Sequence, residues 1–185
     1  MTTLHTPRLT LRPWQLSDLD DFYEYAKHPD VGIHAGWKPH ESREESSEIL
    51  AKFVEADDVW AIELKENRKV IGSFGIHPTR YRSTVNAKCI GFVLSADYWG
   101  KGMMTEAAKA AIQYIFEELK SDIVEINHFN TNNRSRRVIE KCGFVYEGTL
   151  RNARKLLDGS IVDDVRYSML KSEYDELKAK GVFGL

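Results

Sequence analysis

The chain has 185 residues, 42% hydrophobic and 29% charged, with a formal net charge of -2, which is enough for one domain with a substantial core and gives no global basic field for nucleic acid or an anionic membrane. Its two cysteines, Cys89 and Cys142, form no CxxC and cannot make a disulfide scaffold, so metal and redox readings are weak. No apolar run approaches the roughly eighteen residues of a membrane helix, and the start MTTLHTPRLTLRPW has no apolar export region, so the expectation is a cytoplasmic protein made of a single domain over 1–185.

In chain order, Leu9 and Leu11 alternate with Arg8, Thr10 and Arg12 as in a strand closed by Pro13. Ser17 is positioned to cap a helix, with Asp18, Asp20 and Asp21 in its first turn and Leu19, Phe22, Tyr23 and Ala26 at helical spacing. Asp30 to His40 carries Gly32, Gly36 and Pro39 with His34, Trp37 and His40 and reads as a loop with large side chains. Ser42 and Glu45 make a capping box for a second helix whose stripe is Ile49, Leu50, Phe53 and Val54. Val59–Leu64 and Val70–Ile76 form a strand hairpin around Lys65–Lys69. A third run, Ala87 to Leu94, leads through a glycine-containing turn into a long helix with Ala107, Ala108, Ala111, Ile112, Ile115, Phe116 and Leu119 on one face. Ile123–Phe129 is a strand, and a short helix from Arg134 to Lys141 ends at Gly143. Strands near Phe144–Leu150 and Val162–Leu170 and a helix near Ser172–Lys180 complete a mixed α/β order with at least one parallel pair.

The chemistry concentrates in Ser95-Ala96-Asp97-Tyr98-Trp99-Gly100-Lys101-Gly102-Met103-Met104-Thr105. A strand enters a turn with glycines two apart and passes directly into a helix, so backbone N–H groups converge on one concavity that suits an anion. The alternative is a tight turn that uses glycine for conformational freedom alone. Two familiar phosphate loops do not fit. A Walker A loop needs Ser or Thr after Gly-Lys, where this chain has Gly102, and a dinucleotide fingerprint needs a third glycine where it has Thr105.

These residues resemble the GNAT acetyltransferase superfamily, and within it the RimJ/RimL-like ribosomal-protein N-acetyltransferase branch. Gly100 and Gly102 match the glycines of the superfamily's pyrophosphate turn, with Asp97 where Gln or Arg is usual. The branch resemblance adds Thr6-Pro7-Arg8-Leu9-Thr10-Leu11-Arg12, Thr105-Glu106-Ala107, and Asn132-x-x-Ser135-x-x-Val138-x-Glu140-Lys141-x-Gly143-Phe144 running into Glu147-Gly148. It implies a GNAT fold with a mixed sheet of about seven strands, splayed at its centre and flanked by helices. It also implies acetyl-CoA as co-substrate, an amine acceptor and no metal.

On the same resemblance, Gly100, Lys101, Gly102, Met103, Met104 and Thr105 hold the pyrophosphate, a main-chain amide near Val93 or Leu94 polarises the thioester carbonyl, and Asn132 contacts the pantetheine arm. Ser135 is the candidate acid for the departing thiolate, because the position that carries a Tyr acid in many GNAT enzymes is Ile139 here. Asn132 and Ser135 can also be read as helix-capping residues. Glu147 matches a carboxylate implicated in the branch and is the candidate base, through a raised pKa or an intervening water, against a reading as a strand-end surface residue. Asp163 and Asp164, before the last strand, read as a solvated acidic turn or as a pair that recognises a cationic amine, and Asp30–His40 and Leu156–Val165 are expected to line the acceptor side. The acceptor is a protein N-terminal amine or a small amine. The rival function is a non-catalytic acyl-CoA-binding module.

Overall fold

The computed structural model describes residues 1–79 and 81–184. Its strands are β1 (Leu4–His5), β2 (Leu9–Pro13), β3 (Val59–Leu64), β4 (Val70–Pro78), β5 (Ala87–Leu94), β6 (Ile123–Phe129), β7 (Val145–Lys155) and β8 (Ile161–Leu170). Its helices are α1 (Leu19–Ala26), α2 (Pro29–Gly32), α3 (Arg43–Ala56), α4 (Met103–Glu117), α5 (Asn133–Cys142) and α6 (Lys171–Ala179). The eight strands form one mixed sheet in the order β1-β2-β3-β4-β5-β6-β8-β7. The count exceeds the expected seven because Leu4 and His5 pair with Leu11 and Thr10, a two-residue strand too short to leave a periodic signal. The chain divides into two compact units, Met1–Gly75 with Phe92–Ala107, and Ile76–Gly91 with Ala108–Leu185.

In the first unit β2 and β3 pair antiparallel, as do β3 and β4, and all six residues of β3 are buried. An aromatic cluster of Trp14, Phe22, Tyr25 and Phe53 packs with Leu50 and Val59 to make the core under α1 and α3. Ser17 does not cap α1. The chain enters that helix through a 3-10 turn, Leu16–Asp18, and it is Asp18 Oδ2 that accepts the Gln15 N–H at 2.9 Å while Arg12 grips both Asp18 oxygens at 2.8 Å. Ser42 does cap α3, accepting the Glu45 N–H at 3.1 Å, but the Glu45 carboxylate returns to the Glu41 N–H at 2.8 Å, so the box closes one residue early. The expected loop over Asp30–His40 is partly helical, containing the end of α2 and a 3-10 turn at Ile33–Ala35. Gly32 is required there by packing, since a β-carbon would stand 2.4 Å from the Trp37 ring.

In the second unit β5 runs parallel to β6 only over Ala87–Cys89 against Ile123–Glu125, although β6 continues to Phe129. On its other side β6 is paired with β8 from Ile123 to Phe129, and β8 in turn with β7. Ile139 and Cys142 bury the inner face of α5, and Gly143 ends it in the left-handed conformation at φ 88°. Helix α6 docks through Tyr174, which is fully buried and stacked on Phe116 at 4.7 Å between ring centres.

Candidate active site

Three constellations carry the predicted residues. The first, in the first unit, is the end of β5 and the turn into α4. The close approach of the Val93 backbone to β4 requires glycine at position 72, where a β-carbon would meet the Val93 carbonyl oxygen at 2.3 Å. The strand end is then held by the Ser95 N–H donating to the Ile71 oxygen at 2.8 Å and by the Trp99 indole N–H donating to the Leu94 oxygen at 2.8 Å. Gly100 and Gly102 follow at φ 75° and 77°, a region that costs residues with a β-carbon about 1–2 kcal/mol. A β-carbon on Gly100 would meet nothing within 4 Å, so backbone conformation, not crowding, selects glycine there.

Helix α4 starts at Met103, and its first backbone bond to the turn runs from the Glu106 N–H to the Gly102 oxygen at 3.1 Å. The N–H groups of Met103, Met104 and Thr105 therefore have no acceptor inside the helix. Gly100, Lys101 and Gly102 are exposed, and the Lys101 ammonium lies 5.2 Å from the Tyr98 ring centre. A phosphate group fits this arrangement: unsatisfied amides at the positive end of a fifteen-residue helix, open space at the glycines and one cation on the rim.

The Thr6-Pro7-Arg8 segment is bonded to the same turn. Glu106 Oε1 accepts from the Thr6 hydroxyl at 2.6 Å and the Arg8 N–H at 2.9 Å, and Glu106 Oε2 accepts from Arg8 Nε at 2.7 Å. Arg8 Nη1 donates to the Lys101 oxygen at 3.0 Å. Burial opposes ionisation of Glu106, but these bonds outweigh it and hold the carboxyl below its ordinary range.

The second constellation is the start of α5. The Asn132 side chain caps the helix, its Oδ1 accepting the Ser135 N–H at 3.1 Å. Ser135 thus uses its backbone for the cap, and its half-buried hydroxyl has no hydrogen-bond partner among the described residues. Of the neighbouring arginines, Arg136 pairs with Glu140 at 2.8 Å along the helix.

Glu147 belongs to the third constellation. It is the extra residue of a bulge, since Tyr146 pairs with Tyr167 and Gly148 with Arg166. Its Oε1 accepts from Arg82 Nη2 at 2.5 Å and from the Ser168 hydroxyl at 2.8 Å. Arg82 also binds the buried Glu125, which accepts from the Thr79 hydroxyl at 2.7 Å. Burial opposes the Glu147 charge, yet Arg82 and Ser168 bring its carboxyl below the ordinary 4.5, opposite to the raised value one route to a base would need. An intervening water is the route compatible with that environment.

Asp163 and Asp164 lie within β8, not in a turn before it. Asp164 is buried between Asn127 at 2.5 Å and Arg166 at 2.9 Å, and Asp163 accepts the Asn152 N–H at 2.8 Å, so both are spent on the sheet. His40 is buried against Ser46, Phe22 and Trp37, and burial lowers its pKa. Burial pushes the Cys142 thiol up to about 12, in keeping with a core role. Among the described residues no group of three or more His, Cys, Asp or Glu could hold a metal, and no helix is long and apolar enough to cross a membrane. The sequence reading gave no role to Thr6, Arg8 and Glu106 and missed Arg82, Glu125 and Ser168. The bonds that join them across the site span 21 to 100 positions, and local spacing carries no signal of such pairs.

Comparison with known proteins matches the acetyltransferase (GNAT) domain family over residues 8–145, and the chain belongs to that family of acetyltransferases. It is 29% identical over 180 residues to the uncharacterized N-acetyltransferase p20 of Bacillus licheniformis, covering 94% of this chain and 99% of that protein. Among solved structures it resembles a GNAT-family acetyltransferase from Bacillus anthracis, with a TM-score of 0.84 and 24% identity over 93% of this chain and 100% of that one. The microcin C7 self-immunity acetyltransferase MccE, solved with acetyl-CoA and AMP, matches with a TM-score of 0.77 and 21% identity over 89% and 93%.

Proposed function

We propose that this acetyltransferase uses acetyl-CoA to acetylate a primary amine, that it is RimJ/RimL-like, and that the α-amine of a protein N-terminus is its leading acceptor. The observation that carries the proposal is the turn with two left-handed glycines opening directly into α4. Acetyl-CoA would supply the acetyl group already activated as a thioester. Amides from Gly100 to Thr105, with Lys101 on the rim, would hold its pyrophosphate, and Asn132 would contact its pantetheine arm. A main-chain amide near Val93 or Leu94 would stabilise charge on the carbonyl oxygen. The Ser135 hydroxyl donates a proton to the leaving sulfur, and Glu147 takes the amine proton through a water.

The branch reading is supported by the order of three motifs along the chain, and by the bonds that join two of them, Thr6-Pro7-Arg8 and Thr105-Glu106. The test is thiol release from acetyl-CoA in the presence of peptides with free N-termini and of small amines. Turnover above hydrolysis with peptides is expected. Turnover only with small amines overturns the protein acceptor, and binding without turnover for any acceptor favours a non-catalytic module.

A further inference from the structure

Arg8 occupies an unusual position for a residue just before an edge-proximal strand. Two of its three guanidinium nitrogens are committed, Nε to Glu106 and Nη1 to the Lys101 carbonyl oxygen. The third, Nη2, lies 3.7 Å from where a β-carbon on Gly102 would stand and has no hydrogen-bond partner among the described residues. Its side chain is 44% exposed, against 11% for Glu106. A flexible cation has thus been given a fixed direction, and that direction is the mouth of the turn.

We infer that Arg8 is a further cofactor-binding residue, whose Nη2 donates to a pyrophosphate oxygen of the bound co-substrate; the inference rests on the acetyl-CoA reading above. Three features of the geometry support it. The turn itself carries Asp97, which adds unfavourable negative charge near a bound phosphate, and its own cation, Lys101, rests beside the Tyr98 ring. A guanidinium held at two corners loses little conformational freedom when the third corner binds. Glu106, half-buried and ionised, sets the direction of the fork and is itself fixed by Thr6, so the segment acts as a mount for one nitrogen.

The experiment measures binding of CoA, dephospho-CoA and pantetheine to the full chain and to Arg8→Met, by calorimetry for the first two and ligand-observed NMR for the third. Arg8→Met should weaken CoA and dephospho-CoA alike by about 10-fold or more, the scale of one charge-assisted hydrogen bond, and leave pantetheine unchanged. Arg8→Lys should recover part of the loss. Unchanged CoA binding overturns the inference, as does an equal loss for pantetheine, which would mean that the substitution only disturbs the fold. A loss confined to CoA would place the contact on the 3′-phosphate and overturn the pyrophosphate assignment. If the unaltered chain binds neither CoA nor dephospho-CoA, the acetyl-CoA reading fails first and this inference with it.

Discussion

Ser135 and Glu147 are held by different kinds of neighbour. Because the cap of α5 is made by the Asn132 side chain and the Ser135 N–H, replacing Ser135 with Ala removes a hydroxyl that holds nothing in place. Ser135→Ala should leave the melting temperature and acetyl-CoA affinity near their original values while lowering kcat by about 10²-fold, the lower end for a positioned proton donor. A parallel loss of stability would show the hydroxyl to be structural.

Glu147 behaves the other way. Its carboxyl is depressed despite burial because Arg82 and Ser168 donate to it, so its ionised form contributes stability that is present above the ordinary carboxyl pKa and lost as pH falls through the depressed one. Arg82→Met should move the Glu147 carboxyl upward, read by carbon NMR of labelled glutamate, and narrow the acid range over which the protein stays folded. An unmoved titration would mean that the Arg82 contact carries no weight in solution.

At the level of elements, α6 meets α4 through the Phe116–Tyr174 stack and through the bonds that Tyr174 at 2.5 Å and Lys178 make to Glu117. Hydrogen bonds from Lys178 and Tyr174 bring the Glu117 carboxyl down to about 2. Glu117→Gln should therefore destabilise the protein above pH 4.5, with the difference from the unaltered chain closing as pH falls toward 2, checked by thermal melts across that range. Tyr174→Ala, which empties a fully buried aromatic site, should cost about 3–5 kcal/mol.

The periodic elements were legible in the sequence because their signals are local. The apolar run of β3, the Gly143 stop and the turn into α4 each depend on residues within one or two turns of chain. The misread places share the opposite property. Asp18 displaces Ser17 as the helix-entry residue because Arg12 is folded onto it, and Trp37 against Gly32 winds part of an apparent loop. Around the site the same division holds. Glycine spacing announced the turn, while the Arg8–Glu106 and Arg82–Glu147 pairs join residues 98 and 65 positions apart and exist only once the sheet is assembled.

For the molecule as a whole, a net charge of -2 sits comfortably with a strongly anionic co-substrate, since backbone amides at a helix end and one or two placed cations supply the local field without a basic surface. The acetyltransferase family match spans residues 8–145 and so includes the turn, the Asn132–Ser135 cap and the segment just before Glu147. Everything proposed about catalysis depends on the turn being the cofactor site. The direct measurement is calorimetric titration of acetyl-CoA into the unaltered chain and into Gly102→Val, a change that puts a branched side chain at φ 77° where only the Arg8 tip is near. Saturable one-to-one binding that falls by at least about 10-fold in a still-folded variant is the predicted result, from the roughly 1–2 kcal/mol of backbone strain and the blocked approach to the amides. Equal affinity in the two proteins, or no binding by the unaltered chain, would contradict it.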